Sequence, residues 1–148
     1  MDKREVHLHC LNMLAEKIAS LKQEIADAQQ AASEDTKSSA GDKFETGREM
    51  IKQSINQLNQ RLAQDHKLLA VLERINPETE KTEVGPGSLV ETSEGWYYFS
   101  VSLGKVAWKK SSFFALSMAA PIGKALAGSK ANDLVQFMKR DIRILSVR

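Results

Sequence analysis

Two runs of apolar residues, separated by a polar segment, constrain the fold of this chain more than any other feature. Within each run the apolar residues alternate spacings of three and four, which keeps them on one face of a helix and is typical of a coiled-coil seam. The seam residues are Leu11, Leu14, Ile18, Leu21, Ile25 and Ala28 in the first run, and Ile51, Ile55, Leu58, Leu62, Leu69 and Leu72 in the second. We therefore predict two long helices that pack against each other along these seams.

The polar segment between the two runs predicts a reversal of the chain. Residues 34–42 have no apolar period and consist of turn-forming and capping residues. We expect the first helix to end near Ser33 and the second to begin near Asp42. The sequence thus predicts an antiparallel hairpin over residues 1–76 whose polar tip is residues 34–42.

The two seams also predict a register for the hairpin. If the reversal is centred on residue 38, Leu21 lies opposite Ile55, and apolar residues face each other along most of the hairpin. In this register Asp65 interrupts the seam opposite Leu11. A polar residue at a seam position often fixes the register of a coiled coil, and this is the interpretation we favour for Asp65.

The hydrophobic pattern changes after the hairpin. Residues 77–86 are mostly polar and predict a linker, and the alternating apolar residues beyond them predict strands. Pro121 suits a first helical turn and Gly128 a left-handed C-terminus, so a short helix is expected between them. The predicted strands are residues 87–92, 96–101, 106–108, 113–116, 134–138 and 142–147. The predicted fold class is α+β, a long antiparallel coiled-coil hairpin followed by a small antiparallel sheet domain with one short helix, residues 87–148.

Composition limits what the chain can do. Its 148 residues, 42% of them apolar, suffice for one modest globular domain beside the hairpin, which excludes large multi-layer enzymes. The single cysteine, Cys10, excludes an internal disulfide framework. No apolar run resembles a secretory signal or has the length needed to cross a bilayer, so we expect a cytoplasmic protein, and a monomer.

The charge is distributed unevenly along the chain. The formal net charge is only +2, but residues 105–148 carry nine Lys or Arg and two Asp or Glu. A basic face of this kind suits nucleic acid or an acidic protein surface, and it is equally typical of a solvated sheet face.

Four carboxylates lie in or beside the polar tip and could support chemistry: Glu34, Asp35, Asp42 and Glu45. Acids clustered in this way can hold Mg²⁺ through one or two oxygens and leave its other positions for water and phosphate. The alternative is that they cap helices, since Asp42 and Glu45 lie at a predicted helix N-terminus. We predict no metal site belonging to this chain alone.

A second candidate cluster lies at the base of the hairpin. Cys10, His7 and His66 would come together there, but a closed metal shell needs a fourth ligand that nothing nearby supplies. A Cys-His nucleophile at the same place would lack an oxyanion hole and protection from water. We therefore interpret all three as ordinary residues on the surface of the coil and predict no catalytic residue.

Three stretches of the sequence resemble the bacterial Gre transcription elongation factors. Residues 120–135 read Ala-Pro-Ile-Gly-Lys-Ala-Leu-Ala-Gly-Ser-Lys-Ala-Asn-Asp-Leu-Val and resemble the most specific motif of that family. Residues 87–90, Gly-Ser-Leu-Val, resemble the strand that opens its C-terminal domain. Residues 44–49, Phe-Glu-Thr-Gly-Arg-Glu, resemble the step just past its hairpin tip.

The sequence also departs from the family pattern. Aligned on Phe44, Arg48 and Glu49, the two tip acids of the family fall on Lys37 and Ala40, and neither residue can bind a cation. Ala120 and Asn132 replace a serine and a glycine of the family motif. The resemblance therefore implies binding to the family's partner more directly than it implies the family's chemistry.

The resemblance implies a hairpin that enters the secondary channel of core RNA polymerase while an FKBP-like C-terminal domain docks on the channel rim. In that setting the tip acids are the effector, and Asp42 and Glu45 would share Mg²⁺ with the polymerase active site. Nucleic acid would be met only within the elongation complex, and no membrane would be involved. The chain would be an accessory factor and no enzyme, at most stimulating the polymerase's own cleavage of backtracked RNA.

The same resemblance assigns roles to individual residues. Phe44, Arg48 and Glu49 would support the tip. The residues implied in docking to polymerase are Pro121, Ile122, Gly123, Lys124, Leu126, Gly128 and Asp133.

Two other functions are compatible with the residues. A peptidyl-prolyl isomerase would need an aromatic pocket, for which the candidates are Trp96, Tyr98, Phe99, Trp108, Phe113 and Phe114, although a small sheet needs most of these as core. A coiled-coil adaptor would use the seam, and not the tip, to bind other helices.

Overall fold

The computed structural model describes residues 1–37 and 42–148, and the side chains of residues 1–34 and 46–148. The described chain forms two compact units. One unit is Asn12–Leu69, and the other combines Met1–Leu11 with Ala70–Arg148. No helix in the described part of the chain is both long and apolar enough to cross a lipid bilayer.

Two long helices form the predicted hairpin, with α1 spanning Lys3–Lys37 and α2 spanning Asp42–Glu73. α1 begins where the Asp2 carboxylate accepts hydrogen bonds from the backbone N–H groups of Arg4 and Glu5, at 2.8 and 3.4 Å. These bonds satisfy donors that have no partner within the first helical turn.

The predicted end of α1 near Ser33 is wrong, because the helix continues for about one more turn. Its last residues, 34–37, include glutamate and lysine, which are good helix formers. Gln30 Nε2 also donates to Glu34 Oε1 at 3.4 Å, a contact between residues one turn apart. The polar composition of this segment indicated solvent exposure, and solvent exposure is compatible with a helix.

The burial of the hairpin unit confirms the predicted seam. On α1 the buried side chains are Leu14, Ile18, Leu21 and Ile25. On α2 the half-buried side chains include Ile51, Ile55, Leu58 and Leu62, with exposed residues between them. Asp65, which the sequence places at a seam position, is only 4% exposed.

The predicted register, centred on residue 38, is wrong, because Asp65 pairs with a residue six positions, or more than one and a half turns, away from the expected Leu11. Lys17 Nζ of α1 lies 3.6 Å from Asp65 Oδ1 of α2. Leu21, predicted to face Ile55, shares a groove with α2 residues that come after it, namely Gln57, Gln60, Arg61 and Gln64. The longer α1 explains the shift, because each residue added to its end changes which residue of α1 lies opposite a given residue of α2.

The second unit contains a six-stranded sheet and a short helix. The helix α3 spans Pro121–Leu126, as predicted. The strands are β1 Leu89–Thr92, β2 Gly95–Phe99, β3 Gly104–Trp108, β4 Ser111–Leu116, β5 Leu134–Phe137 and β6 Arg140–Val147. Every predicted strand is present, with ends within two residues of the prediction, and the predicted α+β class is confirmed.

The sheet is mixed, with the strand order β3-β4-β2-β1-β6-β5. Its pairs are antiparallel except β2 and β4, which are parallel, with Trp96 opposite Phe113. This pair differs from the all-antiparallel expectation. β3 lies at the edge of the sheet and has the opposite direction to β2. β4 is antiparallel to β3 and lies between β3 and β2, so it is parallel to β2.

The two faces of the sheet are covered by different elements. One face packs on α3 in a cluster of Val84, Val90, Tyr97, Phe99, Ile122, Leu126, Ile142 and Ile144. On the other face, Leu89, Tyr98 and Phe113 are fully buried beside the first turns of α1 and the end of α2. In these helical turns Val6, Cys10 and Leu72 are also fully buried, and the His7 side chain contacts Tyr98. The sheet of this unit therefore lies between α3 and the base of the hairpin.

The segment predicted as a linker, residues 77–86, makes ordered contacts near its end. Val84 is buried in the α3 cluster. Its N–H donates to the Ser129 carbonyl at 2.9 Å, and its carbonyl accepts from the Gly128 N–H at 2.8 Å. The division of the chain into a hairpin, a linker and a C-terminal domain stays a prediction.

Candidate docking surface and hairpin tip

The hairpin tip holds the predicted effector acids. Glu34 is exposed on the last turn of α1, and Arg48 and Glu49 are exposed near the start of α2. The side chains of Asp35, Asp42, Phe44 and Glu45, like those of Lys37 and Ala40, lie outside the described residues. The proposed effector role of the tip acids and their sharing of Mg²⁺ stay predictions.

The motif at residues 120–135 begins with α3. Ala120 is extended, with φ −63° and ψ 151°, and Pro121 occupies the start of the helix, where its missing N–H costs nothing. Ile122 and Leu126 point into the core cluster. These two motif residues hold the helix on the sheet.

Gly123 is required by close packing. A Cβ atom at this position would lie 2.8 Å from the Cα and carbonyl oxygen of Met118 and 2.8 Å from the carbonyl oxygen of Ser117. Such contacts involve backbone, which cannot rotate away. The glycine therefore lets α3 approach the preceding turn, which is a structural reason for its place in the motif.

The second half of the motif forms a turn. Gly128 and Asn132 both have φ of +76°, a left-handed conformation that glycine adopts without cost and asparagine tolerates better than most residues. Asp133 Oδ2 accepts a hydrogen bond from the Lys130 N–H at 2.8 Å. Asn132 can thus stand where the family has glycine, and Asp133 holds the turn.

Three motif residues remain available for contact with another molecule. Pro121, Lys124 and Gly128 are exposed, whereas Ile122, Gly123 and Leu126 are buried. We refer to Pro121, Lys124 and Gly128 as the α3 surface. Of the seven residues predicted to dock, these three and Asp133 are exposed, but Gly128 and Asp133 also hold the turn after α3 and Pro121 starts the helix, so Lys124 is the one whose side chain has no described role in the fold.

The prediction that Cys10, His7 and His66 lie on the surface of the coil is wrong for two of them, because His7 and Cys10 are buried and only His66 is exposed. His7 Nδ1 lies 2.7 Å from Tyr98 Oη. Burial lowers the pKa of His7, and the nearby Lys3 charge lowers it further. Burial raises the pKa of the Cys10 thiol to about 12, so it is not a thiolate at neutral pH. Among the described residues no group of three or more metal-ligating side chains comes together.

The aromatic residues considered for an isomerase pocket divide into two groups. Tyr98, Phe99 and Phe113 are fully buried and belong to the core. Trp96 and Trp108 are half-buried, and Phe114 is 36% exposed. The fully buried residues are unable to line a pocket that a peptide enters.

The sequence interpretation missed two features of these sites. The contact of Lys17 with Asp65 was not predicted, because the expected register placed other residues opposite Asp65. The hydrogen bond that Asp133 accepts from the Lys130 N–H within the turn was also missed.

The solved structures that are similar to this chain include two of Gfh1. No protein-family model matches this sequence, and no curated protein matches it. The structure of the transcription factor Gfh1 is 23% identical over 93% of this chain and 92% of that chain, with a TM-score of 0.39. The crystal structure of Thermus aquaticus Gfh1 is 21% identical over 93% of this chain and 92% of that chain, with a TM-score of 0.36. Because both TM-scores are below 0.5, the functional arguments rest on the residues of this chain.

Proposed function

We propose that this protein is an accessory factor of bacterial RNA polymerase that modulates transcription elongation. In this proposal the hairpin tip enters the secondary channel, and the α3 surface docks on the channel rim. Any cleavage of backtracked RNA would be carried out by the polymerase, with Mg²⁺ shared through the tip acids. The single observation that carries the proposal is the motif at residues 120–135, found in a chain that also has a long helical hairpin.

The motif supports the proposal because its residues divide cleanly by role. Ile122 and Leu126 are buried in the core, and Gly123 is fixed by close contact with the preceding turn. Motif residues of this kind preserve a fold and say little about a partner. The Lys124 side chain serves no such purpose in the described chain, so its presence in the motif favours a contact with another molecule, and Pro121, which starts the helix, is exposed beside it.

The hairpin supports the proposal through its length and polarity. At 35 residues α1 is about 50 Å long, at a rise of about 1.5 Å per residue. Its exposed faces are polar, as expected for a helix that moves through a water-filled channel. Glu34, the tip acid whose side chain is described, is exposed.

The docking part of the proposal is tested by charge reversal on the α3 surface. We expect Lys124→Glu to weaken retention of core RNA polymerase by an immobilised full-length chain at least several-fold, since reversing a charge at the rim of an interface opposes association. Lys139→Glu is the matched control, because Lys139 is exposed in the same unit, in the turn between β5 and β6. Equal retention of polymerase by both variants would show that the α3 surface is not the docking site. If the unaltered chain retains no polymerase, the proposal that polymerase is the partner is wrong.

The tip is tested separately, in the bound complex. Replacing Glu34, Asp35, Asp42 and Glu45 together by alanine should leave polymerase binding intact and change the rate of elongation or transcript cleavage on a stalled complex. The control replaces Glu16 and Glu24, which are exposed along α1 away from the tip. An adaptor that works through its seam predicts that neither set of replacements alters transcription.

A further inference from the structure

The only two tryptophans of the chain, both of them candidates for the isomerase pocket, line one cavity. The cavity has a volume of about 500 Å³ and opens between the sheet and the first turns of α1, within the unit that holds both. Its lining includes Trp96, Trp108, Lys109, Lys110, Asp2 and Glu5. Aromatic faces and lysines in one cavity are a combination that suits a ligand with both a flat ring and a negative charge.

Strand pairing fixes the spacing of the two indoles. Trp96 lies opposite Phe113 of β4, and Trp108 lies opposite Ser111 of the same strand, so both indoles are on one face of the sheet. Their strands flank β4 and are about 9.5 Å apart, and the two tryptophans are also offset by two residues along the strands, so their backbones lie about 11–12 Å apart on the diagonal. A flat ring in van der Waals contact on both sides needs about 7 Å. The small side chain of Ser111 lines the cavity next to Trp108, and the buried Phe113 lies next to Trp96 with its ring centroid 6.5 Å from that of Trp108.

Positive groups lie beside both indoles. Lys109 Nζ is 5.1 Å from the Trp108 ring centroid, and the Arg148 guanidinium is 5.8 Å from the Trp96 ring centroid. Lys110 also lines the cavity and is exposed, and it forms no ion pair with any other described residue. A phosphate on either side of a stacked ring would find a cation there.

The two acids of the cavity are already engaged. Asp2 accepts the backbone hydrogen bonds that begin α1. Glu5 Oε2 lies 3.1 Å from Lys109 Nζ and partly neutralises it. Because Lys109, Lys110 and Arg148 already place positive charge at or beside the two indoles, the charge of the cavity favours an anionic ligand over a second cation.

We infer that this cavity binds single-stranded nucleic acid, with one base stacked between Trp96 and Trp108 and the neighbouring phosphates beside Lys110 and Lys109. Stacking on aromatic side chains is tolerant of sequence, because every base has a flat face. A duplex is excluded, because its paired bases are not free to enter. The inference goes beyond the proposed function and does not depend on polymerase binding.

The test uses the fluorescence of the full-length chain, since both of its tryptophans line the cavity. The probes are a 12-nucleotide oligouridylate, a duplex RNA of equal length and uridine monophosphate. We expect the single strand to quench the fluorescence saturably, with an affinity that falls as salt rises, and the duplex to quench weakly. If uridine monophosphate binds as tightly as the single strand, the ligand that supplies the ring and the phosphate is a free nucleotide. Absence of quenching by every probe would overturn the inference.

Variants measured with labelled oligouridylate identify the residues that bind. Trp108→Ala should weaken binding roughly tenfold or more, and Trp108→Phe should restore most of it. Lys110→Ala should weaken binding and reduce the salt dependence by about one phosphate contact. Glu5→Gln should strengthen binding, because it frees Lys109. Lys139→Ala is the matched control and should leave the affinity unchanged.

Two outcomes would contradict the stacking arrangement even if the chain binds RNA. If Lys110→Ala and Lys139→Ala weaken binding equally while Trp108→Ala and Trp96→Ala have no effect, the contact is diffuse electrostatic attraction over the basic surface. If a 12-residue polyglutamate peptide displaces the oligonucleotide and quenches the fluorescence equally well, the cavity recognises acidic protein. Circular dichroism melting of each variant separates loss of binding from loss of fold.

Discussion

His7 is a buried histidine that its surroundings hold in the neutral form. Its Nδ1 atom lies 2.7 Å from Tyr98 Oη, and the ring is only 5% exposed. Burial lowers its pKa, and the positive charge of Lys3 adds to the effect. Protonation of this ring is therefore more difficult in the folded protein than in the unfolded chain, so folding and proton binding oppose each other.

The pKa of His7 predicts how stability changes with pH. We expect the free energy of unfolding to fall as the pH drops below the ordinary histidine value of 6.5, because the unfolded chain then binds a proton that the folded protein resists. The loss levels off below the folded pKa and cannot exceed about 1.4 kcal/mol per pH unit for one proton. Urea unfolding between pH 5 and 8 measures it. His7→Gln should remove this part of the slope, and His66→Gln, which changes an exposed ring, should keep it. Identical slopes for the two variants would contradict the assignment.

Residue roles in the 120–135 motif were only partly predictable. The resemblance marked Gly123 and Asp133 for docking, whereas the structure gives one a close contact with Met118 and the other a hydrogen bond to the Lys130 N–H. A motif records which residues recur together and does not distinguish packing from binding. That distinction needs exposure, which depends on parts of the chain remote in sequence.

At the scale of helices and strands, what the sequence could predict is what local periodicity determines. The seams of α1 and α2 and the strands of the sheet were predictable because spacings of three and four, or of two, set which side chains share a face. The end of α1, the register of the hairpin and the parallel pairing of β2 with β4 were not. These three features depend on which helices and strands are neighbours in the fold. The alternation of apolar and polar residues along a strand is the same for a parallel and an antiparallel neighbour, so it does not reveal the direction of pairing.

Asp65 is a buried charge that weakens the packing between the two helices of the hairpin. Its side chain is buried at a seam position, its Oδ2 has no hydrogen-bond partner, and its Oδ1 lies 3.6 Å from the ammonium of the exposed Lys17. Removing a carboxylate from water costs free energy that one long ion pair to an exposed lysine repays poorly. The surrounding seam positions are apolar, so an apolar residue would continue the seam.

We predict that Asp65→Leu stabilises the protein by about 1–4 kcal/mol, because it replaces a buried charge by a side chain that suits the seam. The measurement is the free energy of unfolding from urea titration of the full chain, followed by helical circular dichroism. Lys17→Gln is the matched variant and should destabilise the chain, since it removes the one charge that balances Asp65. If Asp65→Leu instead lowers stability, the carboxylate has a stabilising partner, such as a bound water, and the account of Asp65 given above is wrong.

At the scale of the whole molecule, the unit that contains the sheet also contains both ends of the hairpin. Met1–Leu11 and Ala70–Arg148 form one compact unit. Val6, Cys10 and Leu72 are fully buried in it, on the sheet face that carries Tyr98. A chain that begins after the hairpin would expose this face. The change in composition at residue 77 marks a change of secondary structure. It does not predict that the residues after it can fold alone.

We predict that residues 77–148 alone are unstable or aggregate, because the face with Leu89, Tyr98 and Phe113 loses its cover. A chain that joins residues 1–11 to 70–148 through a Gly-rich connector of about six residues should fold, since packed antiparallel helices lie only 8–10 Å apart and such a connector spans that distance. Thermal unfolding followed by near-ultraviolet circular dichroism distinguishes a cooperative transition from its absence. Within the joined chain, Val6→Asp should abolish the transition and Leu8→Asp, at a residue that is 57% exposed, should retain it. A cooperative transition for residues 77–148 would contradict this prediction, because the sheet would then be stable without the hairpin base. In that case the buried contacts of Val6 and Cys10 would serve to orient the hairpin more than to complete the core.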